Sequence, residues 1–139
     1  MIHPDELKDD VTNEFERQGE VPPGDAALSA LRRVIAGFLR TSPLQAPASL
    51  TSHGAIGAFV GACPGWWVRD LSDYPMVASL LDDVFQEHGI TGPAPELMAM
   101  LHRLTVGILR GRRAPRTHAA QLAVSDWVAS LYLAGGKDW

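Results

Sequence analysis

Four closely spaced arginines give the sequence its strongest chemical signal. Arg110, Arg112, Arg113 and Arg116 stand close together, and no Asp or Glu occurs between Arg103 and Arg116. Guanidinium groups present forked donors that match the geometry of carboxylates and phosphates. These four residues are therefore predicted to bind a phosphate or an acidic partner surface. The alternative is a solvated turn near a helix C-terminus, where positive charge is favoured.

Two adjacent tryptophans are the second candidate for partner binding. Trp66 and Trp67 lie between predicted helices and are followed by Arg69. Neighbouring side chains in a connection point in different directions, so one ring is expected to anchor the core. The other would then be exposed beside an arginine, a combination common at interface hot spots. The alternative is a loop that both rings pin to the core.

Three further side chains are candidates for lining a small-molecule pocket, namely His53, Cys63 and His102. Cys63 shares an apolar face with Ile56 and Phe59 at the end of a predicted helix, where the dipole disfavours a thiolate. It is therefore expected to be a buried structural cysteine rather than a nucleophile. His102 lies in a very apolar segment and would need a polar partner if buried.

The other reactive residues predict no catalytic centre, no metal site and no cofactor site. The five histidines lack the spacing of metal ligands. Neither a dinucleotide-binding pattern nor a phosphate-binding P-loop is present. One cysteine rules out a disulfide within the chain. A binding protein is therefore favoured over an enzyme.

Acidic residues are concentrated at the start of a chain whose net charge is −4. Residues 1–24 are predicted to form an acidic segment with a weak helix over 5–18 and a Pro-Pro linker, ahead of a helical core over 25–136. The segment could contact a basic partner, dock on the arginines of its own chain, or stay solvated. Its seven acids are Asp5, Glu6, Asp9, Asp10, Glu14, Glu16 and Glu20.

The elements that position these residues are predicted to be helices throughout. Apolar residues recur with helical spacing, and no strand-like alternation occurs. With 139 residues, the chain is expected to form a single all-α domain, a compact bundle of five to six helices. Beyond the weak first helix, the predicted helices cover 25–40, 51–63, Pro75 to about His88, 96–110 and Pro115 to about Ala134. Gly89 is the expected C′ residue of the helix that Pro75 opens, and the apolar face of that helix comprises Val77, Leu80, Leu81, Val84 and Phe85.

The two C-terminal helices have distinct patterns. The helix over 96–110 is apolar on nearly all sides, which predicts a central buried element that Gly111 closes. The last helix is expected to turn one stripe of residues inward. That stripe comprises Ala120, Ala123, Val124, Trp127, Val128 and Leu131.

Residues 119–125 resemble the start of a helix-turn-helix. The turn position that usually holds glycine is Ala123, and no Arg or Lys occurs from Gln121 to Gly136. A recognition helix needs cationic side chains for phosphate contacts. One continuous helix is therefore preferred, and nucleic-acid binding ranks third among the functions considered.

The leading functional hypothesis is a small bacterial protein-interaction module, of the adaptor, antitoxin-like or immunity type. The amino-acid composition of the chain, rich in Ala, Gly, Pro and Arg, is typical of proteins from GC-rich bacteria. Without a signal peptide or a membrane-spanning run, a cytoplasmic location is expected. The partner would be another protein, with no membrane involved. The second hypothesis is a small-molecule binder or enzyme. Its pocket would lie between Trp66/Trp67 and the predicted helix over 51–63, on which Gly54, Gly57 and Gly61 form a stripe of small residues.

Overall fold

The computed structural model describes residues 4–17, 19, 24–41, 59, 70–90 and 94–136. Within these residues the chain is all helical, with no strand, which confirms the predicted all-α class. Five helices are present there: α1 (Pro4–Arg17), α2 (Asp25–Thr41), α3 (Val77–Glu87), α4 (Pro95–Gly111) and α5 (His118–Ala134). The predicted helix over 51–63 lies outside the described residues except for Phe59, which is helical and buried.

The chain divides into two compact units. One comprises residues 1–59 and 131–139, and the other comprises residues 60–130. Helices α1 and α2 belong to the first unit and contact each other. The boundary proposed at residue 24, between an acidic segment and a core, stays a prediction.

In the first unit, α1 buries a narrow stripe and α2 buries most of its surface. Val11 and Phe15 are four residues apart in α1, so both fall on one face, and both are buried. Helix α2 buries a wide apolar face, while Ser29, Arg32, Arg33 and Arg40 on its other side are partly or fully exposed. Its buried apolar residues are Ala27, Leu28, Ala30, Leu31, Val34, Ile35, Ala36 and Phe38.

Glycines let α2 approach the last turn of α5 at backbone distance. A Cβ atom on Gly37 would collide with the backbone carbonyl of Leu131, and one on Gly135 would collide with the carbonyl of Arg33. Arg40 donates a hydrogen bond of 2.8 Å from Nη1 to the carbonyl of Ala134. This bond satisfies one of the carbonyls that a helix C-terminus leaves unpaired.

Replacing Gly37 with alanine tests this close approach. We expect Gly37→Ala to lower the free energy of unfolding by about 3 kcal/mol, because the backbone of Leu131 must move to admit the methyl group. Gly24→Ala is the control, since a Cβ atom there meets nothing within 4 Å. Urea denaturation followed by circular dichroism measures both. Equal stability of the two variants would contradict the close approach.

In the second unit, α3 presents the apolar face that the sequence predicts. Its buried residues are Val77, Leu80, Leu81, Val84 and Phe85. The helix begins at Val77 rather than at Pro75, and the backbone N–H of its N-cap residue Met76 donates to the side chain of Gln121 at 3.1 Å. Gly89 ends it in the left-handed conformation, with φ of 74°, as predicted.

Helix α4 is the most deeply buried element of the second unit, and it contacts α3. Six consecutive residues, 104–109, are buried, so this part is enclosed on all sides. The prediction of a buried helix is confirmed for this C-terminal part. Its first two turns are partly exposed, and Met100 and Leu101 complete the buried set.

Helix α5 is one continuous helix, so no helix-turn-helix break occurs at Ala123. It begins at His118 rather than at Pro115, because the Thr117 hydroxyl accepts the backbone N–H of Ala120 at 3.2 Å and caps the helix there. The predicted inner stripe is corrected, since Ala123 is exposed and Trp127 is only partly buried. The buried residues are Gln121, Val124, Ser125, Val128, Ala129, Leu131 and Tyr132.

Among the helices of the described part, none has the length and apolar character that crossing a membrane requires.

Candidate partner-binding site

We define the arginine turn as Arg110, Arg112, Arg113 and Arg116, which follow one another around the end of α4. A buried tyrosine supports this turn from below. Tyr74 is 3% exposed, and its hydroxyl lies 2.7 Å from the carbonyl oxygen of Ala114 and 3.3 Å from that of Leu109. These contacts attach the backbone between the arginines to a side chain about 40 residues earlier in sequence.

One carboxylate lies between the two ends of the arginine turn. Asp73 forms an ion pair with each end of the turn: its Oδ2 atom lies 3.2 Å from Nε of Arg110, and its Oδ1 atom lies 3.6 Å from Nη2 of Arg116. The Arg116 guanidinium also lies 5.7 Å from the ring centre of Tyr74. Partly exposed ion pairs contribute little stability. Their effect here is to orient two guanidinium groups toward a common point.

The turn contains a backbone conformation that glycine usually adopts. The N–H of Arg113 bonds to the carbonyl of Arg110, and the N–H of Ala114 bonds to that of Leu109. This pair of bonds is a Schellman motif with Arg113 in its left-handed position, at φ of 52°. The expectation that Gly111 closes the helix is therefore wrong. Gly111 is the last helical residue, and Arg113 occupies the special position instead.

The fourth arginine is paired with a tryptophan. The guanidinium carbon of Arg112 lies 4.7 Å from the ring centre of Trp127, which remains partly exposed. A cation over an aromatic face at this distance is attractive by about 0.5–1 kcal/mol at an exposed site. The predicted tryptophans, Trp66 and Trp67, lie outside the described residues. Within the described part of the chain, Trp127 is the tryptophan that contacts the arginine turn.

Three of the four arginines line a small pocket. Its volume is about 280 Å³. Arg112 is directed to Trp127 instead, so the turn has a pocket side and a tryptophan side. The pocket is lined by Asp73, Tyr74, Arg110, Arg113, Ala114 and Arg116.

Gln121 is a buried polar residue that positions the end of the turn. Its Nε2 atom donates to the carbonyl oxygens of Arg116 at 3.2 Å and Thr117 at 3.4 Å. Its Oε1 atom accepts the backbone N–H of Met76. Sequence reasoning did not identify Gln121 or Tyr74 as positioning residues. The available signal was a glutamine on the inner stripe of α5, where an unpaired amide would be costly.

A second carboxylate lies near the turn. Hydrogen bonds from the hydroxyl and backbone N–H of Ser72, at 2.6 and 3.0 Å, lower the pKa of Asp70. The positive charge of Arg110 lowers this pKa further. Asp70 is exposed and does not line the pocket, so it adds negative charge near Arg110 only.

Of the three predicted pocket residues, His102 is the one that lies within the described residues. His102 is partly buried in α4 and lines a separate groove of about 180 Å³ with residues of α3 and α4, including Asp82 and Met98. Burial lowers the pKa of His102, which favours the neutral ring. Typical ligand pockets measure about 300–1,000 Å³, so this groove is small. His53 and Cys63 lie outside the described residues.

No grouping of three or more His, Cys, Asp or Glu side chains suited to a metal ion occurs within the described ranges. Compared with known proteins, the chain matches no family model, no curated protein and no solved structure.

Arg113 and Gly89 both adopt the left-handed conformation after a helix, and substituting each by the other's residue type tests the strain at Arg113. We expect Arg113→Gly to raise the free energy of unfolding by about 0.5–1 kcal/mol, because a side chain in the left-handed conformation is unfavourable. Gly89 occupies the same position after α3, so Gly89→Arg should lower stability by about 1 kcal/mol. Denaturant titration measures both. A loss of stability in Arg113→Gly would show that the Arg113 side chain contributes packing that outweighs the strain.

Proposed function

We propose that this chain is a protein-interaction module that binds an acidic surface of a partner protein through the arginine turn and Trp127. The observation that carries the proposal is the stacking of Arg112 on the partly exposed Trp127 at one side of the turn. Arginine and tryptophan are the residue types most enriched among interface hot spots. Here they are adjacent, and the backbone that carries Arg112 is supported by Tyr74.

The charge of the turn supports an acidic partner. Neither Arg112 nor Arg113 forms an ion pair with any described residue. The four arginines with Asp70 and Asp73 leave a net charge of +2 at the turn, while the whole chain carries −4. A local positive surface on an acidic protein favours encounter with an acidic patch and disfavours general binding to nucleic acid.

The strained conformation of Arg113 is consistent with this role. Non-glycine residues in sparsely populated backbone regions are concentrated at functional sites. Glycine would be the stable choice at this position, as it is at residue 89. The presence of arginine at this position, despite its cost in stability, supports a functional role for the Arg113 side chain.

We further propose that Trp66 and Trp67 belong to the same binding function, as the sequence predicts. A cytoplasmic adaptor, antitoxin-like or immunity-type protein of a bacterium would act in this way, by complementarity of surfaces and without chemistry.

Charge reversal with a matched control tests the proposed function. A partner captured by crosslinking in cells would be purified, and its affinity for the wild-type chain measured by calorimetry. Arg112→Glu with Arg113→Glu should weaken binding at least ten-fold, since charged contacts contribute about 1.5–3 kcal/mol. Trp127→Ala should weaken it similarly, but with little dependence on salt, since screening affects the charged component.

The control is Arg32→Glu with Lys137→Glu, which changes the net charge equally and lies outside the turn. It should bind like the wild type. Each variant is first checked for native helicity by circular dichroism. If the double arginine variant and Trp127→Ala both fold and bind the partner as tightly as the wild type, the arginine turn and Trp127 are not the interface.

A further inference from the structure

We infer that the pocket side of the arginine turn is a binding site for a phosphate monoester group, with Arg113 and Arg116 as its main donors. The inference rests on the proposed function, because it names the chemical group that the same turn would recognise. The phosphate could be carried by a partner's side chain or by a small molecule, and the experiment below distinguishes these sources.

The charge lining the pocket matches a dianion. Arg110, Arg113 and Arg116 contribute +3 and Asp73 contributes −1, which leaves +2. A phosphate monoester carries about −1.5 to −2 at neutral pH. A ligand with a single carboxylate would carry only −1 and would therefore leave about half of this positive charge uncompensated.

The donors around the pocket are only partly used within the chain. Each guanidinium has five N–H donors, and Asp73 engages one nitrogen each of Arg110 and Arg116. Asp73 thereby orients both groups and leaves other donors of each available. Arg113 has no ion-pair partner among the described residues. Forked donors of this kind match the oxygens of a phosphate.

The two nearby carboxylates lie closer to Arg110 than to the other pocket arginines, so we expect the phosphate to bind nearer to Arg113 and Arg116. Asp73 accepts Arg110 at the shorter distance, 3.2 Å against 3.6 Å for Arg116. Asp70 adds a second negative charge, whose interaction with Arg110 lowers the Asp70 pKa. Arg110 is thus the most neutralised of the three arginines that line the pocket.

The floor and size of the pocket suit a small group. The Tyr74 hydroxyl is occupied by the carbonyl of Ala114, so the tyrosine serves as a support rather than as a donor to the ligand. The volume of about 280 Å³ is near the lower limit for ligand pockets. Because a water molecule takes about 30 Å³, the pocket holds a phosphate group and the first atoms of its carrier.

Titration of the full chain with inorganic phosphate tests the inference. Backbone amide shifts would be followed by NMR at pH 7.5 and constant ionic strength, with acetate as the matched carboxylate. We expect saturable shifts confined to residues 110–116 and the neighbourhood of Tyr74 for phosphate, with acetate binding at least ten-fold more weakly. Arg113→Gln should weaken phosphate binding at least ten-fold, since one charged donor is lost. Arg32→Gln, with the same charge change, should leave it unaltered.

Arg113→Gln is chosen because no described residue pairs with Arg113, so the fold does not depend on its charge. Phosphoserine and phosphotyrosine in short peptides, and glycerol 3-phosphate, are compared with inorganic phosphate. Tighter binding of either peptide points to a modified side chain, and tighter binding of glycerol 3-phosphate points to a small molecule. Equal binding of acetate and phosphate, or unsaturable shifts, would overturn the inference. The proposed function would still stand if an acidic partner protein depended on Arg112 and Arg113.

Discussion

The hydrogen bond from the Tyr74 hydroxyl to the carbonyl of Ala114 is the constraint on which the rest of the site depends. It joins the segment before α3 to the turn after α4. Because a buried tyrosine hydroxyl needs a partner, the ring and the turn must stay together. Asp73, the preceding residue, is thereby held between Arg110 and Arg116. This buried contact thus holds Asp73 where it orients Arg110 and Arg116.

The four arginine side chains of the turn lie on two different surfaces. Arg112 extends to Trp127 on α5, while Arg113 lines the pocket with Arg110 and Arg116. The tryptophan side suits an apolar and acidic partner surface, and the pocket side suits a compact anion. A protein with both sides could recognise a partner by its surface and by one charged group on it.

Helix positions and the composition of the site could be predicted from the sequence, but the geometry of the site could not. Local periodicity and Gly89 were sufficient for α3, because its face and its end depend on neighbouring residues. The arginines were visible as a run without acids. Their supports were not, since Tyr74 lies about 35–40 residues away in sequence. Trp127 was wrongly assigned to the interior because buried Gln121 and Ser125 rotate the inner face of α5 away from it.

Amide hydrogen exchange in wild type and Tyr74→Phe tests the central claim, that Tyr74 holds the arginine turn, most directly. The amides of Arg113 and Ala114 close the Schellman motif there, and those of Gly89 and Ile90 close the equivalent motif after α3. We predict about five-fold faster exchange at Arg113 and Ala114 in the variant, equivalent to one lost hydrogen bond, with Gly89 and Ile90 unchanged. Unchanged exchange at Arg113 and Ala114, or equal acceleration at both motifs, would contradict it.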